Sequence, residues 1–444
     1  MSETEGTLRL ADFLEAIPAE GWICCSCTFD AAVLPLEEAL ANLRAGHAAL
    51  LEQYPQLRLQ LVRADGLLHW RLAPAAECAF ERLVAAVPRI DDAVPDTFPL
   101  DAAPLWRVRL CARAAAHRTV LRVHVSHALC SGRTLCDILE LFLHVAAREP
   151  LPPALLAAQH QPLLPPFGKR EWFTPELVQS VLSASIQSAS AQPAPAYTLS
   201  VPASWSRLVP YKMNPDVALP SHVVCRHWRR PLAPVAAFCR RRGVTVQGVL
   251  IALVARAYRA YHRGALDARE LAAYVPVDVR RAPGTTAAAR RTALFFACSG
   301  VALVFVQRQR DLLRDVLHCQ ARLRAVLATD EAARCALVQA HILDERTRRA
   351  AFPPGFPNAA VHNIVFASHL GRVCPARADV LLGSSSPVAE DGYWPNLYAY
   401  HTDTELYFMF TPPYNVDPAF VAAFHDSAEE MMRFIEEDVG EESM

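Results

Sequence analysis

The chain has 444 residues, 52% of them hydrophobic and 8% aromatic, enough apolar mass for two or three cores and too much for a disordered segment. Lysine plus arginine number 44 against 45 for aspartate plus glutamate, a net charge of −1, so no basic excess exists to hold a phosphate backbone and nucleic acid is an unexpected partner. Thirteen cysteines without a repeated spacing, an acidic start (MSETEGTLRL) lacking a leader pattern, and no unbroken apolar run of bilayer length suggest a cytoplasmic protein with reduced thiols and no transmembrane segment.

Taken in order, the three cysteines of Cys24-Cys25-Ser26-Cys27 have no second pair or histidines at zinc spacing and read as strand residues, with no metal. Leu36, Leu40, Leu43, His47, Leu50 and Tyr54 recur at helical spacing until Pro55 stops them. Leu57, Leu59 and Leu61 then alternate with polar residues as a half-buried strand. Asp65-Gly66 is expected to turn it into a second strand, Leu67 to Leu72. In FPLDAAPLWRVRL (Phe98 to Leu110), Trp106, Val108 and Leu110 point one way and Arg107 and Arg109 the other.

A turn at Ala116-His117 leads into a strand on which Leu121, Val123, Val125 and His127 share one face. After it, Thr134 and Asp137 stand at capping-box spacing ahead of a helical stripe of Leu135, Ile138, Leu139, Phe142 and Val145. From about 148 to 220 the chain is rich first in proline and then in serine and alanine, which suits a linker or crossover. The expected organisation is an N-terminal lobe over 1–175, a linker over 176–220 and a C-terminal lobe over 221–444. Within the last, Val223 to Trp228, Leu271 to Val279, Leu294 to Val306, Asn363 to Ser368 and Leu406 to Thr411 read as strands. Leu232 to Arg241, Thr245 to about His262, Leu312 to Leu327 and Pro418 to Glu436 read as helices. The arginine runs Arg229-Arg230 and Arg240 to Arg242 read as solvated faces.

A histidine that closes an apolar stripe at a turn is partly desolvated, which favours the neutral ring a general base needs; the same pattern also describes a packed core histidine. Cys130, three residues on, admits a cysteine–histidine pair, although neighbours at a turn need not face each other.

The segments HAALLEQYPQLRLQL (His47 to Leu61), FPLDAAPLWRVRL, His127-Ala128-Leu129-Cys130-Ser131-Gly132, GVTVQGVLIALVARA (Gly243 to Ala257), YVPVDVRR (Tyr274 to Arg281) and ASHLGRV (Ala367 to Val373) follow one another in a telling order. Together they resemble the chloramphenicol-acetyltransferase-like superfamily of CoA-dependent acyltransferases. That group includes alcohol acetyltransferases, polyketide-associated acyltransferases, plant BAHD acyltransferases and the condensation domains of peptide synthetases. Its HxxxDG motif lines up with His127 to Gly132, and its SNLG segment with Ser368 to Gly371.

The resemblance implies an α/β fold of two lobes, each a mixed sheet with helices, enclosing an active-site channel that a monomer can form. His127 would be the catalytic base, acyl-CoA the co-substrate and a small alcohol or amine the acceptor, without a metal. Gly132 would keep the turn open and Ser368 would contact substrate or oxyanion. Ser131 stands where the family has an aspartate and Ser126 where it often has a first histidine. The aspartate's ion pair with an arginine of the other lobe, for which Arg280 is a candidate, therefore cannot form. His369 replaces the asparagine of SNLG. The alternative is a catalytically degenerate, condensation-like protein that binds a ligand or a protein partner.

Overall fold

The structure, a computed structural model, describes residues 9–10, 22–64, 67–90, 104–113, 116–160, 173–180, 226–261, 270–287, 298–306, 311–342, 364–373, 378–385, 396–411 and 418–440. In the N-terminal part, the elements are β1 (Arg9–Leu10), β2 (Trp22–Asp30), α1 (Leu36–Gln53), β3 (Leu59–Ala64), β4 (Leu67–Leu72), β5 (Val84–Ala86), β6 (Trp106–Arg113), β7 (Arg118–Ser126) and α2 (Gly132–Ala147). The C-terminal part has β8 (Arg226–Pro231), α3 (Leu232–Arg242), α4 (Val246–Tyr261), β9 (Glu270–Asp278), β10 (Cys298–Val306), α5 (Leu312–Leu327), α6 (Glu331–Ile342), β11 (Ile364–Arg372), β12 (Ala378–Ser385), β13 (Asn396–His401), β14 (Glu405–Thr411) and α7 (Pro418–Gly440). Helices shorter than eight residues are left unnumbered.

The elements form a five-stranded sheet in the order β12-β2-β7-β6-β5 and a six-stranded sheet in the order β10-β9-β11-β13-β14-β8. Both sheets mix parallel and antiparallel pairs. A separate, small sheet has the order β1-β4-β3. β12 lies late in the chain yet completes the early sheet, pairing Leu382 with Cys25. Tyr400 of β13 secures it, donating its hydroxyl to the Val380 carbonyl at 2.9 Å and accepting from the Leu382 amide at 3.2 Å.

Local chemistry explains several element ends. α1 runs between two prolines, with Glu37 and Glu38 in the first turn where the helix dipole favours them. It stops at Tyr54, whose backbone has left the helical region ahead of Pro55, as a residue before proline is pushed to do. Gly243 closes α3 in the left-handed conformation at φ 61°, and Thr245 Oγ1 accepts the Gly248 amide to open α4. Cys24, Cys25 and Cys27 lie in β2 as buried free thiols; Cys78, Cys111, Cys130, Cys136 and Cys319 are likewise free and buried, and Cys239 is free and half-buried.

One face of the five-stranded sheet carries Leu121, Val123 and Val125 beside Trp106, Val108 and Leu110, all fully buried under α1 and α2. Trp106 packs at a tilt against Phe142 of α2 with ring centroids 4.9 Å apart, and Asn42 of α1 donates to the Ala146 carbonyl at 2.8 Å. In the C-terminal part α4 is the central rod, buried almost all round between its sheet, α5 and α7. The described stretch 173–180 rests on this part: Phe173 bridges Thr285, and the Thr174 amide donates to the Gly284 carbonyl.

Several expectations shift. β7 ends at Ser126, so His127 stands in the turn after the strand rather than on its face. α2 starts at Gly132 with Ser131 as N-cap, which places Thr134 and Asp137 inside the helix; Asp137 pairs with Arg133 instead of capping. β11 continues to Arg372, beyond Ser368, and α7 to Gly440. β5, β12, β13 and α6 were not foreseen. Asp65-Gly66 and residues 294–297 lie outside the described residues, although Ala64 pairs Leu67 across the hairpin.

Candidate active site

The turn between β7 and α2 fixes its histidine from within. His127 is half-buried, and its Nδ1 lies 3.0 Å from the Cys130 carbonyl oxygen. A carbonyl only accepts, so Nδ1 carries the proton and the lone pair of the neutral ring falls on Nε2. The same turn is braced by the Ala128 amide, which donates to Ser126 Oγ at 3.3 Å. Three residues earlier, His124 is fully buried on the opposite face of β7, edge-on to Trp22. Burial, with the charges of Arg122 and Arg109 behind it, pushes its pKa down to about 3, so this ring stays neutral and packs.

Cys130 is completely buried and its thiol is pushed well up by burial, the opposite of an activated nucleophile. The cysteine–histidine reading fails here, because His127 meets the carbonyl of Cys130 and a buried neutral thiol cannot attack.

Ser131 is nearly buried, and its Oγ lies 3.2 Å from Thr134 Oγ1. Arg280 makes a two-pronged ion pair with Asp278 two residues before it, Nη2 to Oδ2 at 2.7 Å and Nε to Oδ1 at 2.8 Å. Arg280 instead acts across the lobes on Asp137, through charge alone. Burial raises its carboxyl pKa, against the opposing pull of Arg133 and of Arg280 from the other half.

Gly132 and Arg133, the first two residues of α2, meet β11 directly. A β-carbon at Gly132 would lie 3.2 Å from Leu370 Cδ2, so a side chain from β11 occupies the space that the glycine leaves. Arg133 Nη1 donates to the Leu370 carbonyl at 3.2 Å and to the Arg372 carbonyl at 2.5 Å, while Nη2 donates to Asp137 Oδ1 at 2.8 Å. Between those carbonyls Gly371 takes φ 81°, a conformation strained for other residues, and the register with β13 shifts across this bulge.

Ser368 is buried two residues before Leu370 on the same strand. The pairing of β11 with β9 ends at Phe366 and Tyr274. Beyond it Gln247, in the first turn of α4, takes over that edge: its Nε2 donates to the Ala367 carbonyl at 2.8 Å and its Oε1 accepts the His369 amide at 2.6 Å. His369 stacks on His401 with centroids 5.5 Å apart, and burial first, then the charges of His401 and Arg133, lower its pKa to about 4. Arg133 and Gln247 are the residues that sequence reasoning missed. Arg133 adjoins the motif and could have been noted; Gln247 carries no local signal.

Solved structures align with this arrangement over almost its whole length. The epimerization domain from the third module of tyrocidine synthetase B superposes with a TM-score of 0.62 at 12% identity, covering 98% of this chain and 99% of that one. The fold of this chain is the condensation-domain, chloramphenicol-acetyltransferase-like one. Trichothecene 15-O-acetyltransferase from Fusarium sporotrichioides shares this condensation-domain fold (TM-score 0.65, 11% identity, 96% and 94% coverage). So does polyketide synthase associated protein 5 from Mycobacterium tuberculosis (TM-score 0.61, 14% identity, 95% and 97% coverage). No protein-family model and no curated protein matches the sequence. Among the described residues no helix is long and apolar enough to cross a membrane, and no group of three or more histidine, cysteine or acidic side chains is placed to hold a metal ion.

Proposed function

We propose that this protein is an acyltransferase that moves an acyl group from acyl-CoA to a small alcohol or amine, with His127 as general base. The observation that carries the reading is the His127 Nδ1 contact with the Cys130 carbonyl, which commits the proton to Nδ1 and the basic lone pair to Nε2. In this reading Nε2 takes the acceptor's proton as its oxygen or nitrogen attacks the thioester carbonyl. The carbon–sulfur bond breaks, the acyl group ends on the acceptor, and CoA leaves as the thiol. Ser368, on the strand that meets the start of α2, is the proposed contact for substrate or oxyanion, and Gly132 keeps the meeting point narrow. Reduced thiols suit a cytoplasmic setting, and the two lobes of one chain suffice for the site.

Thiol release from acetyl-CoA and longer acyl-CoAs, with a panel of primary alcohols and amines, tests the reading. Turnover that falls at least about 100-fold in His127→Ala supports it. Equal inertness of wild type and variant across the panel overturns it.

A second reading, a condensation-like protein that binds without catalysis, draws on Ser131, where a hydroxyl–hydroxyl contact with Thr134 stands in place of a cross-lobe ion pair. It expects CoA or a partner to bind in calorimetry, with no thiol release.

A further inference from the structure

Arg133 is the one side chain among the described residues that joins the first turn of α2 both to its own helix and to two backbone carbonyls of β11. Its guanidinium suits this: a rigid planar fork can serve two carbonyls and a carboxylate at once, whereas an ammonium offers a single point charge. The receiving side is shaped to match. Gly371, at φ 81°, turns the chain so that the carbonyls on either side of it meet one nitrogen, and an added β-carbon there would sit 3.7 Å from Nη1. β11 is itself anchored on its far edge by the two hydrogen bonds from Gln247 of α4.

A short chain of contacts thus leads from the C-terminal core to His127. Gln247 holds β11; β11 receives Arg133; Arg133 fixes the first turn of α2. Cys130, immediately before the N-cap Ser131, gives its carbonyl to His127 Nδ1. Only the backbone from Cys130 to Arg133 separates the imidazole's hydrogen-bond acceptor from the guanidinium. We infer that Arg133 is a positioning residue for His127, tying the turn that holds the imidazole to β11 of the other lobe. The inference deepens the acyltransferase reading and rests on it for its kinetic consequences. Its geometric content stands apart from that reading.

The test compares Arg133→Met and Arg133→Lys with the wild type in the full-length chain. Amide hydrogen exchange over 127–133 and 364–373 reports the tie itself. The nitrogen shifts of isotope-labelled histidine, assigned with His127→Gln, report whether the His127 proton stays on Nδ1. Thiol release from acetyl-CoA, with the best acceptor of the panel, reports turnover. The expected result for Arg133→Met is faster exchange in both segments, a mixed His127 tautomer, and kcat lower by about 10- to 100-fold with KM for acetyl-CoA within about threefold. Arg133→Lys, able to serve one carbonyl at a time, should recover part of each.

Unchanged exchange in both segments overturns the inference. So does an equal loss in KM and kcat that simply follows a lowered melting temperature. Should Arg133→Met fail to fold, Arg133→Lys decides on the same readouts. A wild type that releases no thiol sinks the acyltransferase reading alone, and exchange and tautomer then decide the positioning role.

Discussion

Gly132 and Leu370 meet where the two lobes touch, the α-carbon of one leaving the space that the isobutyl group of the other fills. A β-carbon at 3.2 Å from Leu370 Cδ2 requires a shift of a few tenths of an ångström, and a branched side chain requires more. Gly132→Val should therefore destabilise the protein by about 2 kcal/mol in urea unfolding, by overpacking the contact. Combining it with Leu370→Ala should recover about 1 kcal/mol through their coupling. Strict additivity of the two substitutions would show that the space is not shared.

Cys130 should be chemically silent. Its burial and raised pKa predict negligible reaction with a thiol reagent in the folded protein and full reaction in denaturant. Cys130→Ala keeps the backbone carbonyl that orients His127 and should leave thiol release within about threefold of wild type. A loss as large as that of His127→Ala would reinstate the cysteine as a participant.

Acid should weaken the fold through two histidines, the buried His124 and the half-buried His369. His124 and His369 have folded pKa values lowered to about 3 and about 4, whereas in the unfolded chain a histidine titrates near about 6.5. Below that value the unfolded chain binds protons that the folded one refuses. Stability is thus fully present above about pH 6.5 and declines as pH falls toward 4, by on the order of 3 kcal/mol for His369. Asp137, with its raised pKa, works in the opposite sense. Denaturant midpoints at pH 7, 5.5 and 4.5 should drop steeply in wild type and less in His124→Phe and His369→Asn. Parallel slopes in all three proteins would contradict the assignment.

In the C-terminal core, Gln320 Oε1 accepts from both the amide and the hydroxyl of Thr245, each at 2.8 Å, in the space left by Gly248. A β-carbon at Gly248 would come within 2.4 Å of that oxygen. Gly248→Ala should lower stability by about 1–3 kcal/mol by expelling the amide from its cap. Gln320→Ala in the same background should remove the clash but not restore the cap. A melting temperature for Gly248→Ala equal to that of wild type would refute the contact.

Much of this architecture was legible in the chain itself. The apolar stripe from Leu36 to Tyr54, the alternation in Trp106 to Leu110 and the buried run of α4 each follow from periods of 3.6 or 2, because the side chains that must leave water recur at those spacings. The segment order around His127 to Gly132 led to the fold that the solved structures share. Strand ends were less legible: β11 runs four residues past Ser368 because its edge is completed by Gln247 and β13, partners that sequence spacing does not reveal.

What the sequence determined by itself was the set of local elements and the presence of a histidine at a turn, since both depend on neighbours within a few residues. Tertiary structure alone decided which histidine of the pair His124 and His127 is walled into the core, and that Arg280 turns to Asp278. It also decided that Arg133, rather than any residue of the motif proper, reaches across to the carbonyls of Leu370 and Arg372. Those contacts join residues as many as 239 positions apart, and their energies depend on burial and orientation that only the assembled lobes create.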